Sequence, residues 1–137
     1  MENRKDFDFA EKAAVCAAVA DYLGSGAKAD GISARRFRVF HSAGARAQAN
    51  AVFMGFLRNF FPIKAAVDEF CKKPPRPALK AALFCACADL AARRKAFQAV
   101  DSWVEFIKVK FSRGESGFAN AILRKFPEFM EKIAEEA

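Results

Sequence analysis

Apolar residues recur along this chain every three or four positions. They fall in short blocks separated by glycine, proline or clustered charge, and the spacing predicts helices throughout. Val15, Val19, Tyr22 and Leu23 mark one face of a first helix over Phe9–Leu23, which the GSG at 24–26 closes; glycine accepts the left-handed conformation that ends a helix. Ser33 is placed to cap a short second helix, with Phe37 and Phe40 on one side and Arg35, Arg36 and Arg38 fanned around it. In ARAQANAVFMGFLRNFF, Val52, Phe53, Phe56, Leu57, Phe60 and Phe61 repeat at helical spacing, and Pro62 is expected to stop that helix and open the next, PIKAAVDEFCKK.

After the rigid break PPRP, whose last proline is placed to start a helix, ALKAALFCACADLAA is apolar on nearly every side. Such a segment is expected at the centre of a bundle. The charged corner Arg93, Arg94, Lys95 leads into AFQAVDSWVEFIKVKF, where Val100, Trp103, Val104, Ile107 and Phe111 are in register. SRGES then reads as a turn with Ser116 as the next cap. Phe118, Ile122, Phe126, Phe129, Met130 and Ile133 keep one phase across Pro127, so the last helix either kinks there or restarts.

The pattern therefore predicts an all-α bundle of about seven or eight helices in one domain spanning residues 1–137. Hydrophobic residues make up 53% and charged residues 28%, a balance that supports a packed core and excludes the disordered class. Most of the sixteen phenylalanines are accordingly assigned to the core. Exposed platforms for stacked bases are the alternative use of such residues.

Charge adds a direction. Against 16 acids stand 23 Lys and Arg, a net of +7, which favours a polyanionic partner such as nucleic acid. The bases gather at Arg4 and Lys5; at Arg35, Arg36 and Arg38; at Lys72, Lys73 and Arg76; at Arg93, Arg94 and Lys95; and at Lys108, Lys110, Arg113, Arg124 and Lys125. If the last two helices pack as neighbours, the final group could form one patch on RNA phosphates. Arg124 and Lys125 could equally be bases complementing a helix C-terminus. His41, beside the arginines, either contacts phosphate or is an exposed structural residue.

Chemistry of other kinds finds little purchase. One histidine and four cysteines, with no CxxC pair, argue against a metal site, and Cys85 and Cys87 point to opposite sides of a helix. The thiols are expected to be buried and free. Asp68 with Glu69, and Asp101 with Glu105, read as solvated helix faces. No glycine-rich phosphate loop follows a strand, and no apolar run reaches membrane-spanning length. The expectation is a cytoplasmic, non-membrane protein with no cofactor, no metal and no catalytic residue.

Three segments carry a resemblance. GFANAILRKF, from Gly117 to Phe126, resembles the Gly-aromatic-small-Asn signature near the end of the NusB-like fold, with Gly117, Phe118, Asn120 and Leu123 in its positions. AVDSWVEFIKVKF looks like the family's preceding helix through Val100, Asp101, Val104, Glu105, Phe106 and Lys108. RAQANAVFMGFLRNF, with its early Arg46 and its Gly55, Phe56, Leu57, Arg58 ending, resembles the corresponding helix of the methyltransferase-linked branch. The family includes the transcription antitermination factor NusB and the N-terminal domain of RsmB-type (Sun/Fmu) ribosomal RNA cytosine-5 methyltransferases.

The resemblance spans Arg46 to Phe126 and implies an RNA-binding module of the accessory type linked to those methyltransferases. Methylation would belong to an S-adenosylmethionine-binding domain downstream, so this chain is expected to be non-catalytic alone. Its implied partners are ribosomal or leader RNA, a ribosomal protein, a transcription factor or a methyltransferase domain. The alternatives are a free-standing antitermination factor and a helical protein-interaction module without RNA affinity. In the signature, Gly117 and Ala119 are expected to admit a neighbouring helix, and Asn120 to bond a loop or helix end. Two departures stand out. The family's arginine-rich start is here MENRKDFDFAEKA, where acids dilute Arg4 and Lys5. Trp103 replaces a usually small residue, so either the core around it is reshaped or the indole faces outward.

Overall fold

Ala-rich blocks with one apolar stripe each fold into helices that bury that stripe. The computed structural model describes residues 9–92 and 96–136. Among these are seven helices and no strand: α1 (Phe9–Ser25), α2 (Ala29–Phe37), α3 (Ala43–Arg58), α4 (Phe60–Phe70), α5 (Pro77–Ala92), α6 (Ala96–Lys110) and α7 (Arg113–Glu136). The chain is an all-α bundle.

The centre is α5, which starts at Pro77. Every residue from Ala81 to Leu90 is buried. Alanine and cysteine let neighbours approach from all sides, and α1, α3, α4, α6 and α7 pack around it. A second layer of aromatic rings locks α1 to α3 and α5. Phe56 meets the tilted Phe84 ring at 5.9 Å, while it meets Tyr22 edge-on at 5.7 Å and Phe53 meets Phe37 of α2 edge-on at 5.9 Å. Such edge-to-face pairs add to the burial of the rings themselves.

Helix ends depart from the sequence expectation at identifiable atoms. The first helix runs on to Ser25, and Gly26 ends it with φ of 70°. The second begins at Ala29, so Ser33 lies inside it, with Oγ donating to the Asp30 carbonyl. Asn59, not Pro62, separates α3 from α4: its backbone N–H and side-chain amide both donate to the Gly55 carbonyl at 3.0 Å. Pro62 sits in the first turn of α4, where no intrahelical N–H is needed.

At the start of α7 the cap is Ser112. Its Oγ accepts from the Glu115 N–H at 3.1 Å, the side-chain half of a Ser-x-x-Glu capping box, and donates to the Glu115 carboxylate at 2.9 Å. Ser116 is instead buried within α7 and donates to the Val104 carbonyl of α6 at 3.1 Å. The last helix continues through Pro127 without restarting.

Trp103 faces inward. It is fully buried, and Nε1 donates to Asp89 Oδ2 of α5 at 2.8 Å. The core around it holds the buried Asp89 side chain as the indole's acceptor. Lys12 of α1 brings its ammonium to 5.4 Å from the indole centroid.

Candidate nucleic-acid interface

The segment from Gly31 to Val67 carries five arginines and one lysine and no acid. It builds α2, the following turn, α3 and most of α4. What those bases can do depends on which carboxylates reach them from outside the segment. Asp21 of α1 takes two. Arg36 forks onto its two oxygens at 2.8 and 3.0 Å, and Arg35 reaches Oδ2 at 3.3 Å. The Arg36 hydrogen bond holds the Asp21 carboxyl below its usual range, against partial desolvation. These arginines fasten α2 to α1. Lys64 pairs with Asp68 one turn along α4 at 2.8 Å.

Arg38, Arg46 and Arg58 are exposed and have no carboxylate partner among the described residues. Arg38 and Arg46 flank a groove of about 500 Å³ between α2 and α3, with Ser33, Ala43, Ala47 and Asn50 along it. Arg46 is oriented by the turn it closes, donating through Nη1 to the carbonyls of Phe40 and His41. A guanidinium has five N–H donors, so this anchoring leaves others for a ligand oxygen. His41 is exposed in the same turn. The groove offers two arginines and an amide beside Phe37 and small residues, donors suited to phosphate oxygens, while the Ser33 hydroxyl is already spent on the Asp30 carbonyl.

The remaining predicted bases are dispersed. Arg4, Lys5, Arg93, Arg94 and Lys95 lie outside the described residues. Helices α6 and α7 do pack together, but the five bases of their group divide. Lys110 and Arg113 are exposed at the turn between the helices, and Lys108 is paired with Glu105 at 3.3 Å. Arg124 lies about 16 Å further along α7 than Arg113. There it donates to Asn120 Oδ1 at 2.9 Å and to Asp101 of α6 at 3.4 Å. Lys125 sits over the Phe70 ring at 5.7 Å. Arg76 is engaged with Glu115 at 2.7 Å and lies over the Phe111 ring.

The signature helix works differently from the expectation. Gly117 is exposed, and a methyl group built on it meets nothing within 4 Å, so it admits no neighbouring helix. Ala119 does face the core. Asn120 accepts from a side chain of its own helix rather than bonding a loop or helix end. Leu123 is fully buried, whereas Phe118 is 39% exposed.

Arg46 and Arg58 were visible in the sequence only as motif residues, outside the basic clusters. The acid-free run was the signal that singles them out, because an isolated arginine far from any carboxylate keeps its full charge for a ligand.

The thiols offer no nucleophile in this region. Cys71, Cys85 and Cys87 are buried and free, and burial pushes all three pKa values up. Among the described residues, no group of His, Cys, Asp and Glu is arranged to hold a metal ion, and no helix is long and apolar enough to cross a membrane. A second groove, about 450 Å³, lies between the end of α4 and the last turns of α7. Phe70, Phe129 and Ile133 form its floor, and Glu69, Lys125 and Lys132 are on its rim. No family model matches the chain, and no curated protein matches it.

Proposed function

We propose that this chain is a non-catalytic RNA-binding module of NusB-like type, engaging RNA phosphates through the α2–α3 arginine groove. The observation that carries the reading is the set Arg38, Arg46 and Arg58, each without a carboxylate partner among the described residues, on a segment that contains no acid. A cation already neutralised by a neighbour releases little on meeting a phosphate, whereas these three retain their charge for it. The sequence resemblance from Arg46 to Phe126, with a buried central helix where the family has one, supports the accessory role linked to ribosomal RNA cytosine-5 methyltransferases. In that role the chain presents RNA to a catalytic domain.

One observation favours a protein-docking reading instead: the apolar groove at Phe70, Phe129 and Ile133. Salt separates the two. Fluorescence anisotropy with a labelled ribosomal RNA fragment, beside a duplex DNA control, tests the proposal. RNA-preferring binding that weakens steeply as salt rises is the expected result. Absence of binding at low salt refutes it and leaves protein docking as the function.

A further inference from the structure

Phe61 is the most exposed large apolar side chain among the described residues, at 80%, where most of the other described aromatic rings are buried or half-buried. It stands on the first turn of α4, its ring edge-on to Phe60 at 5.3 Å. Phe60 in turn packs on Tyr22, Phe56 and Phe84. The exposed ring is therefore backed by a rigid aromatic stack.

The helix that precedes it in the chain carries a polar, positive row. On α3, Arg46, Asn50, Met54 and Arg58 form one i,i+4 row, and all four are exposed. The row runs about 18 Å, from the arginine groove to the end of α3, where Asn59 turns the chain and Phe61 follows. Arginines stand at both ends of the row. No acid occurs in this segment to repel a polyanion.

We infer that this row is a track for single-stranded RNA, with Arg46 and Arg58 on phosphates and a nucleobase stacked on Phe61. The inference rests on the RNA-binding reading above and adds strand selectivity and a base-contact residue to it. Single strands are favoured because a base can stack on an aromatic ring only when it has left its neighbours, which a duplex resists. Exposed phenylalanine with flanking arginine supplies that contact without reading sequence. A purely apolar protein partner would not call for two guanidinium groups along the same row without a carboxylate partner among the described residues.

The test compares wild type, Phe61→Ala and Phe61→Trp on a short single-stranded RNA oligomer and on the same sequence annealed into a duplex. Phe61 is solvent-facing, so thermal melts of the three proteins should coincide. The expected result is preference of the wild type for the single strand, with Phe61→Ala losing at least about fivefold in single-strand affinity and none on the duplex. Phe61→Trp should retain affinity, and the new indole should be quenched on binding; the native Trp103 is buried and gives a constant background. If wild type binds RNA and Phe61→Ala binds the single strand equally well, the ring contacts no base and the inference is overturned while the RNA module stands. If wild type binds no RNA, both fall.

Discussion

Trp103 Nε1 donates to Asp89 Oδ2 at 2.8 Å, a hydrogen bond between two buried side chains that ties α6 to the central helix. A buried carboxylate is costly unless it is well supplied with donors. The indole is one such donor and fills the surrounding space as well. Replacing Trp103 with Phe removes the donor while keeping an aromatic ring. The expected loss is about 2 kcal/mol, the order of leaving a buried acceptor without that donor. Urea unfolding checks it, and a loss below about 0.5 kcal/mol would show that the bond contributes little net stability.

Gly117 lies inside α7 with open space where a side chain would stand. Glycine within a helix is less stable than alanine because it leaves more backbone freedom to lose on folding. Gly117→Ala should therefore raise stability by about 0.5–1 kcal/mol. Urea unfolding checks it, and a destabilised variant would contradict the open space around this position.

Asp21 and Glu115 both sit below their ordinary pKa values of 3.8 and 4.5, through hydrogen bonds from Arg36 and Arg76 respectively. The folded state thus holds these protons less tightly than the unfolded state. Their stabilisation is full above the ordinary values and is lost as pH falls through the lowered ones. Thermal melts should show the melting temperature falling on acidification below about pH 4.5. In Asp21→Asn/Glu115→Gln that acid limb should be shallower. An unchanged limb would place the acid sensitivity in other carboxylates.

Cys71, Cys85 and Cys87 are buried while Cys16 is half-buried. Burial keeps the buried thiols protonated as well as inaccessible. A thiol reagent at mildly alkaline pH should label Cys16 alone in the native protein and all four cysteines once the chain is unfolded. Rapid native labelling of Cys85 would show that α1 and α5 separate readily.

Helical periodicity made the bundle legible, and the continuous apolar block around Cys85 identified its central helix. The errors lie at caps, where one side-chain hydrogen bond decides. Pro62 looked like a stop signal, yet proline is tolerated in a first turn, and Asn59 provides the break. Ser116 looked like a cap, but the Ser112–Glu115 pairing sits one turn earlier. Trp103 left two orientations open because its acceptor, Asp89, lies 14 residues away on another helix. The candidate surface was half legible for a related reason. Basic clusters can be counted in a sequence, but neutralisation by a distant Asp21 or Asp101 appears only in three dimensions.

The central claim is that the arginines just after α2 and on α3 that have no carboxylate partner among the described residues hold RNA phosphates. It is tested most directly by the salt dependence of RNA affinity for wild type and for Arg38→Ala/Arg58→Ala. Both residues are exposed, so folding should be unaffected. The account predicts a steep fall in wild-type affinity with salt, and in the variant a slope shallower by about 0.7 for every phosphate that the removed guanidinium groups had neutralised. Identical affinities and slopes for the two proteins would contradict it.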